Sequence, residues 1–593
     1  MDYSKEVLLS REELLSDALK KSKENYQIVV GIDFGTSRSG FAWAWMPDQS
    51  HNNRDIRLNT SWPSQPDGIE YVKTPTLLLR YPNNNVAWGH QVKRILEEHK
   101  NKEQSEYHLF ERFKMNLYSK IEHCGEEERF KVVDVIADYL KLLKDYALKT
   151  ISGKGSLNII NPERILWCLT VPAMWENSAK ESMINASIKA GLIDDRQDYG
   201  ERLVFVLEPE AAAMYCQNED KVTAPVPKLS EDTRFMVVDA GGGTVDITVH
   251  EVTSSGLEAV VKHLGKAHGS TEVDKDFHNY LSRLMGSDAV KNLAKNKLEE
   301  YFDLLNRWEQ KKCAFDEDQI EREANSRILM SGRLMKALGR EALDKLGRAQ
   351  DGEDDAIVIS PNTMKSIFEN TLVKLLSTID EVFKDLGKEK CNYLFLVGGF
   401  SQSPLLRERV RRRYEGTAVD RVVVPDNAGS AVLWGSVAFG IDPSVIRSRS
   451  SRLTYGIETR NYFNEMLDDP SKKVYDKWEK IYRCDGRFDM FVKAGDIVDV
   501  GRKVVRRYCI SPGETRISIR IYSTTKEAAR YVDEDGVSKE GEFVISTPDT
   551  TDGKKKELEV TMDFSDNLII VTAEDVNSGN TCQTEARFSN TFY

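Results

Sequence analysis

A chain of 593 residues is too long for one hydrophobic core, so three or four lobes are expected. Charged residues make up 30% and hydrophobic residues 40%, an ordinary balance for a folded soluble protein, and the net charge of −12 argues against a nucleic-acid-binding surface over the molecule. No stretch approaches the roughly 20 apolar residues a membrane span requires, and the start at Met1-Asp2-Tyr3 lacks a secretory pattern. Eight cysteines are scattered singly without CxxC spacing, which points to a reducing, cytoplasmic setting and no structural zinc.

In chain order, residues 1–26 are polar with spaced leucines and read as a short helical extension. Residues 28–46 form two strands around the turn Asp33-Phe34-Gly35-Thr36-Ser37. Residues 47–70 read as loop and 105–150 as helix, with Ile136, Tyr139, Leu140, Leu143 and Ala147 at helical spacing. A buried strand from Ile165 runs into Pro172, and a helix covers about 177–190. The strand from Leu203 to Leu207 leads to Glu208-Pro209-Glu210 and an alanine-rich helix start. The strand ending at Val238 opens a second turn, Asp239-Ala240-Gly241-Gly242-Gly243-Thr244-Val245-Asp246, followed by a strand pair and by helices across 272–313. A strand over 391–397 ends in Gly398-Gly399-Phe400, and an arginine-bearing helix begins near Pro404. Alternating strands and helices define α/β layers.

The pattern changes after about residue 443. Residues 443–452 are rich in serine and arginine and read as a linker. Period-two segments then dominate, among them Arg516–Ile521, Leu558–Phe564 and Leu568–Ala573, with a hairpin turn expected at Asp566-Asn567. This part, 453–593, reads as an all-β domain with no phosphate chemistry of its own.

The chemistry lies in the two aspartate–glycine turns. Each places a carboxylate at the end of a buried strand and follows it with a turn whose N–H groups can close around a phosphate. Carboxylates beside such a turn can hold a hydrated divalent ion. One glycine turn alone need signify no more than a tight chain reversal. Two in the same strand–turn–strand setting point to a duplicated domain that grips a nucleotide from both sides. The third turn, Gly398-Gly399-Phe400, lets backbone lie against a sugar or planar ring. The interspersed Glu408 and Glu415 make the arginine run 407–413 a solvated surface rather than a nucleic-acid site.

With these motifs the chain resembles the 70-kDa heat-shock protein family, within the actin/hexokinase-like ATPase superfamily. The matching segments are Gly31–Thr36, Leu169–Ala173, Glu208–Ala213, Val238–Asp246 and Val397–Gly399, in the family's order across about residues 28–442. The phenylalanine in the first turn and the segment Ser451–Glu458 resemble its divergent subfamily 12. The resemblance implies a two-lobed actin-like nucleotide-binding domain over 27–442 and a β-sandwich over 453–593. It also implies ATP or ADP with Mg2+ as cofactors. Asp33, Asp239, Asp246 and, through water, Glu208 fall where the family organises the metal. Gly35, Thr36, Ser37, Gly241, Gly242, Gly243 and Thr244 fall on its phosphate loops, and Gly398, Gly399, Phe400, Glu309 and Lys312 on its nucleoside side. Lys93, four residues after Gly89, is matched to the catalytic lysine. Pro172 and Lys180 match a proline–basic pair that couples nucleotide state to the second domain.

The departures are equally specific. Cys313 and Gln402 stand where the family sandwiches adenine between two arginines, and neither stacks on a ring as guanidinium does. Losing both implies ATP binding weaker by about 1–3 kcal/mol. No helical lid or acidic linker is expected. The sequence therefore leaves open three readings. One is a weak, chaperone-like ATPase whose β domain engages a polypeptide client or signalling protein and which answers to an exchange factor or co-chaperone. The second is a nucleotide-binding regulatory scaffold with little turnover, and the third, least supported, is a small-alcohol or sugar kinase.

Overall fold

A computed structural model of the chain describes residues 26–46, 55–98, 107–118, 131–153, 160–218, 229–548 and 556–585, apart from 69, 262, 478, 501, 511–513 and 565–568. The helix expected over 1–26 and the turn at Asp566-Asn567 lie outside them.

Two mixed sheets repeat one plan. In the first, Ile28–Phe34 pairs antiparallel with Arg38–Trp45 and parallel with Ile165–Val171, which pairs parallel with Leu203–Leu207. In the second, Arg234–Ala240 pairs antiparallel with Val245–Thr253 and parallel with Cys391–Val397, which pairs parallel with Val419–Val423. All seven residues of Ile28–Phe34 and all seven of Ile165–Val171 are buried. Strands covered on both faces read as continuous apolar runs, as these two do. The shared plan puts Asp33 opposite Gly40 and Asp239 opposite Asp246, at corresponding hairpin ends.

Two helices, Glu208–Gln217 and Ala431–Ile441, lie between the sheets. They share one core with Val29, Leu166 and Cys168 of the first sheet and Phe235, Val237 and Phe395 of the second. Small side chains let the helices approach closely. A Cβ on Gly435 would stand 1.8 Å from the Ala211 carbonyl oxygen, so only glycine fits that crossing.

Beyond residue 453 the described structure is all β. A five-stranded antiparallel sheet contains Thr454–Tyr462, Ile481–Val492 and Arg516–Thr524, and a four-stranded one contains Lys503–Ile510, Lys556–Asp563 and Ile570–Asp575. Their alternating residues, including Ile457, Ile521 and Phe543 with Val560, Met562 and Val571, form one cluster. That is the outcome period-two patterning dictates.

Two expectations need correction. Residues 105–150 are not one helical stretch: His108–Glu111 is a strand, Met115–Tyr118 a single helical turn, and the main helix runs Val132–Ser152. Its apolar spacing was legible; the short elements before it carry too few residues to show a period. Nor is 443–452 a loose linker. The Arg447 amide donates to the Leu257 carbonyl, and Ser448–Ser450 pairs with Ile497–Asp499 of the β part. Arg449 then makes a two-pronged ion pair with Glu210, at 2.7 and 3.0 Å, and the Glu210 side chain is only 1% exposed. A segment of serines and arginines looks like a tether because its backbone and ionic partners are distant in sequence.

Gly435→Ala is expected to destabilise the protein by about 2–4 kcal/mol, because the added methyl meets backbone rather than a movable side chain. The urea midpoint measures it; the exposed Gly416→Ala, with open space around its Cβ, gives a comparison for the loss of glycine's left-handed backbone alone.

Candidate functional site

The two aspartate–glycine turns face one another across a cleft of about 560 Å3. Their approach is close enough that a Cβ on Gly242 would stand 2.2 Å from the Ser37 hydroxyl, and one on Gly243 2.5 Å from that of Thr36. The second turn is bonded to the start of the helix Thr271–Met285: the Ser270 amide donates to the Gly241 carbonyl and the Thr271 amide to that of Gly242. The glycines thus leave a polar cradle, with amides and hydroxyls on both walls, that larger residues would fill.

Asp33, Gly35, Thr36, Ser37, Glu208, Asp239, Gly241, Gly242, Gly243 and Thr244 all line this cleft, as do Glu309, Lys312, Gly398, Gly399 and Phe400. Asp246 lies behind it, paired in register with Asp239 and 1% exposed. Lys93 is elsewhere. It sits on the helix His90–Glu98 and donates to Asn306 at 2.8 Å, outside the cleft lining. The resemblance matched Lys93 to the catalytic lysine, but its bond to Asn306 places it outside the cleft lining, and the match is corrected accordingly.

Two other lysines reach the carboxylates. Lys73 donates to Asp33 at 2.5 Å, and Lys114, with its side chain 4% exposed, donates to Glu208 at 2.7 Å. Lys114 also lies 5.2 Å from the Trp175 ring centroid and 5.8 Å from that of Phe34. The phenylalanine of the first turn packs beneath the site against Phe113 and Tyr139. Neither lysine was legible, because each stands in an unremarkable segment and acquires its role only when the chain folds back.

The acids are crowded. Burial holds the Glu208 carboxyl above its ordinary value, opposed by Lys114 and reinforced by Asp33. Burial, then Glu208 and Asp246, pushes Asp239 well up. Asp246 is raised to about 7 by burial and by Glu208, and neither carboxylate oxygen has a hydrogen-bond partner of good geometry. Such a corner attracts cations. Among the described residues no three His, Cys, Asp or Glu side chains are placed to hold a metal ion directly. The arrangement therefore fits a divalent ion held through water and phosphate oxygens rather than by a closed protein cage.

At the opposite end lie Glu309, Lys312 and Cys313 on the helix Leu298–Ala314, with Gln402 across the cleft. Lys312 is locked between Asp274 at 2.8 Å and Glu309 at 2.6 Å. Burial lowers its pKa, but these two carboxylates more than offset that and leave it raised. No arginine stands at positions 313 or 402, but Arg38 lines this cleft too.

A family model described as Hsp70 protein matches residues 29–474. The chain belongs to the Hsp70 family. It is 27% identical to mouse "Heat shock 70 kDa protein 12A", over 98% of this chain and 94% of that protein. Human "Heat shock 70 kDa protein 12B" is 26% identical over 95% of this chain and 91% of that protein. "Chaperone protein DnaK" of Ureaplasma urealyticum serovar 10 is 24% identical, over 73% of this chain and 62% of that protein.

The raised acids set a pH dependence. With Asp246 near 7 when folded against 3.8 for a free aspartate carboxyl, the folded state binds more protons across that interval, so stability falls as pH rises through it. Without metal or nucleotide, the urea midpoint is expected to drop between about pH 4 and 8. Asp246→Asn should raise it at pH 8, by on the order of 1–3 kcal/mol, with a smaller gain at pH 5.

Proposed function

We propose that the cleft binds ATP and ADP with Mg2+, hydrolyses ATP slowly, and couples nucleotide state to polypeptide binding by the β part. The observation carrying this reading is the face-to-face approach of the two glycine turns, with paired lysines and buried carboxylates between them. It implies the two-lobed actin-like architecture over 27–442, followed by a β-sandwich-like domain. The amides and hydroxyls at Thr36, Ser37, Gly242, Gly243 and Thr244 donate to the phosphate tail. Asp33, Asp239, Asp246 and Glu208 hold the water shell of Mg2+, which would neutralise phosphate charge. Lys114, on Glu208, takes the role first assigned to Lys93: its ammonium stabilises negative charge at the terminal phosphate, and Thr244 orients it. Closure of the cleft around a bound nucleotide would exclude water and strengthen both interactions.

Coupling has a short route. Glu208, bonded to Lys114 in the cleft, and Glu210, bonded to Arg449 of the connecting strand, occupy the same first helical turn. A shift of that turn when nucleotide binds moves the strand that leads into the β part. A polypeptide client or signalling protein is the partner this implies for the β part, with an exchange factor or co-chaperone acting on the nucleotide part. The cytoplasm is the compartment proposed, in keeping with the free thiols. No helix among the described residues is long and apolar enough to cross a membrane.

A second reading, a scaffold that holds nucleotide with little turnover, is favoured by Cys313 and Gln402 in place of two ring-stacking arginines. Single-turnover phosphate release separates the two. Hydrolysis by the wild type, cut about 100-fold or more in Lys114→Ala and by less than about threefold in Lys93→Ala, supports catalysis. Retained ATP without release supports the scaffold, and failure to bind Mg-ATP or Mg-ADP sinks both. The double variant Cys313→Arg with Gln402→Arg is expected to tighten ATP binding by about tenfold or more in calorimetry.

A further inference from the structure

The nucleoside end of the cleft has two unlike walls. One is formed by Glu309, Lys312 and Cys313 on the helix Leu298–Ala314, together with Gln402. Lys312 is held by Asp274 and Glu309, and the Cys313 thiol donates weakly to Glu309 at 3.5 Å. Phe368 and Phe400 lie behind, packed into the core. None of these side chains sets a guanidinium or an exposed aromatic ring against the cleft.

The other wall carries both. Arg38 opens the strand Arg38–Trp45, directly after the first aspartate–glycine turn, and its backbone is fixed by pairing with Pro75. Its side chain lines the cleft, is exposed, and enters no ion pair or hydrogen bond among the described residues; Glu70, also on the lining, is not bonded to it. The guanidinium carbon lies 5.8 Å from the Tyr71 ring centroid, and the Tyr71 ring lies 5.0 Å from that of His90. His90 is buried; burial, then Lys93 and Arg38, hold its imidazole down to about 4, so the ring behind Tyr71 carries no charge at neutral pH. The three side chains make a layered column that ends at the cleft. The charge of Arg38 also reaches the opposite helix. At Glu309 burial would raise the carboxyl, but Lys312 and then Arg38 more than offset it and leave it low. At Cys313 burial and then Glu309 push the thiol up to about 11, with Lys312 and Arg38 opposing them. A guanidinium is flat, weakly hydrated and stacks on rings, and this one has no carboxylate to hold it elsewhere.

We propose that Arg38 holds the base of the bound nucleotide: its guanidinium stacks on the ring, with Tyr71 behind it, and supplies from this wall the flat cationic face that Cys313 and Gln402 do not. Arg38 is then the binding residue and Tyr71 the positioning residue that sets its plane. Stacking reads a flat ring and not its edge, so this contact fixes where the nucleoside lies without choosing among purines. The assignment rests on the reading of the cleft as a nucleotide site.

Calorimetric titration of the full chain with Mg-ADP tests this. Arg38→Gln and Arg38→Lys are each expected to weaken binding by about fivefold or more, because an ammonium keeps the charge but has no flat face. Mg-pyrophosphate, read by displacement of Mg-ADP, carries the phosphates without a ring and should lose less than about threefold in either variant. Binding kept by Arg38→Lys shows that charge alone was needed, an equal loss for Mg-pyrophosphate assigns Arg38 to the phosphates, and no loss in either variant leaves it without a contact; each overturns the proposal while the nucleotide reading stands. A wild type that binds neither Mg-ADP nor Mg-ATP overturns both. Arg38 is exposed and makes no ion pair or hydrogen bond among the described residues, so both variants should keep the wild-type urea midpoint. A variant that does not is replaced by Arg38→Met, which keeps the aliphatic stem, with the same loss expected and its absence overturning the proposal.

Discussion

The structure depends on how four carboxylates are kept together away from water. Asp33, Glu208, Asp239 and Asp246 converge at the ends of strands and the start of one helix, and their mutual repulsion adds to the cost of burial. Two ammonium groups, from Lys73 and Lys114, oppose that cost for Asp33 and Glu208. Asp239 and Asp246 are left with elevated proton affinity. A corner so charged is a poor way to build a stable core and an effective way to make one that favours a cation.

The helix Glu208–Gln217 shows how the rest is organised around that corner. Its first turn supplies an acid to the cleft and an acid to the connecting strand, while Ala211, Ala212 and Ala213 lie against the other central helix. Pro209 suits the first turn because its missing N–H would have no helical acceptor there. The composition of this short segment follows from three separate demands: charge on two sides, small volume on the third, and a rigid start.

Much of this was legible. The two aspartate–glycine turns, the strands leading into them and the alternating β segments rest on local patterns, and local patterns survive in sequence. The family resemblance ordered the motifs correctly along the chain. What escaped was non-local. Lys73 and Lys114 have no motif around them, and Lys93 was matched only through the family resemblance, which does not show which lysine the folded chain brings to the cleft. The strand at Ser448–Ser450 escaped for the same reason: three polar residues show no period, and what makes them a strand is an edge at Ile497–Asp499. Arg409, Arg412 and Arg413 went the other way, as expected of a solvated face, each bridging to an acid at the surface.

The docked connecting strand has a mechanical consequence. A slack tether lets two bodies drift independently and passes on little torque, whereas a strand bonded at both flanks behaves as a stiff axle. With Arg447 bonded to the strand Gly256–Ala259 and Ser448–Ser450 bonded to Ile497–Asp499, rotation on one side has few internal degrees of freedom in which to dissipate. Leverage, rather than length, is what these few residues contribute.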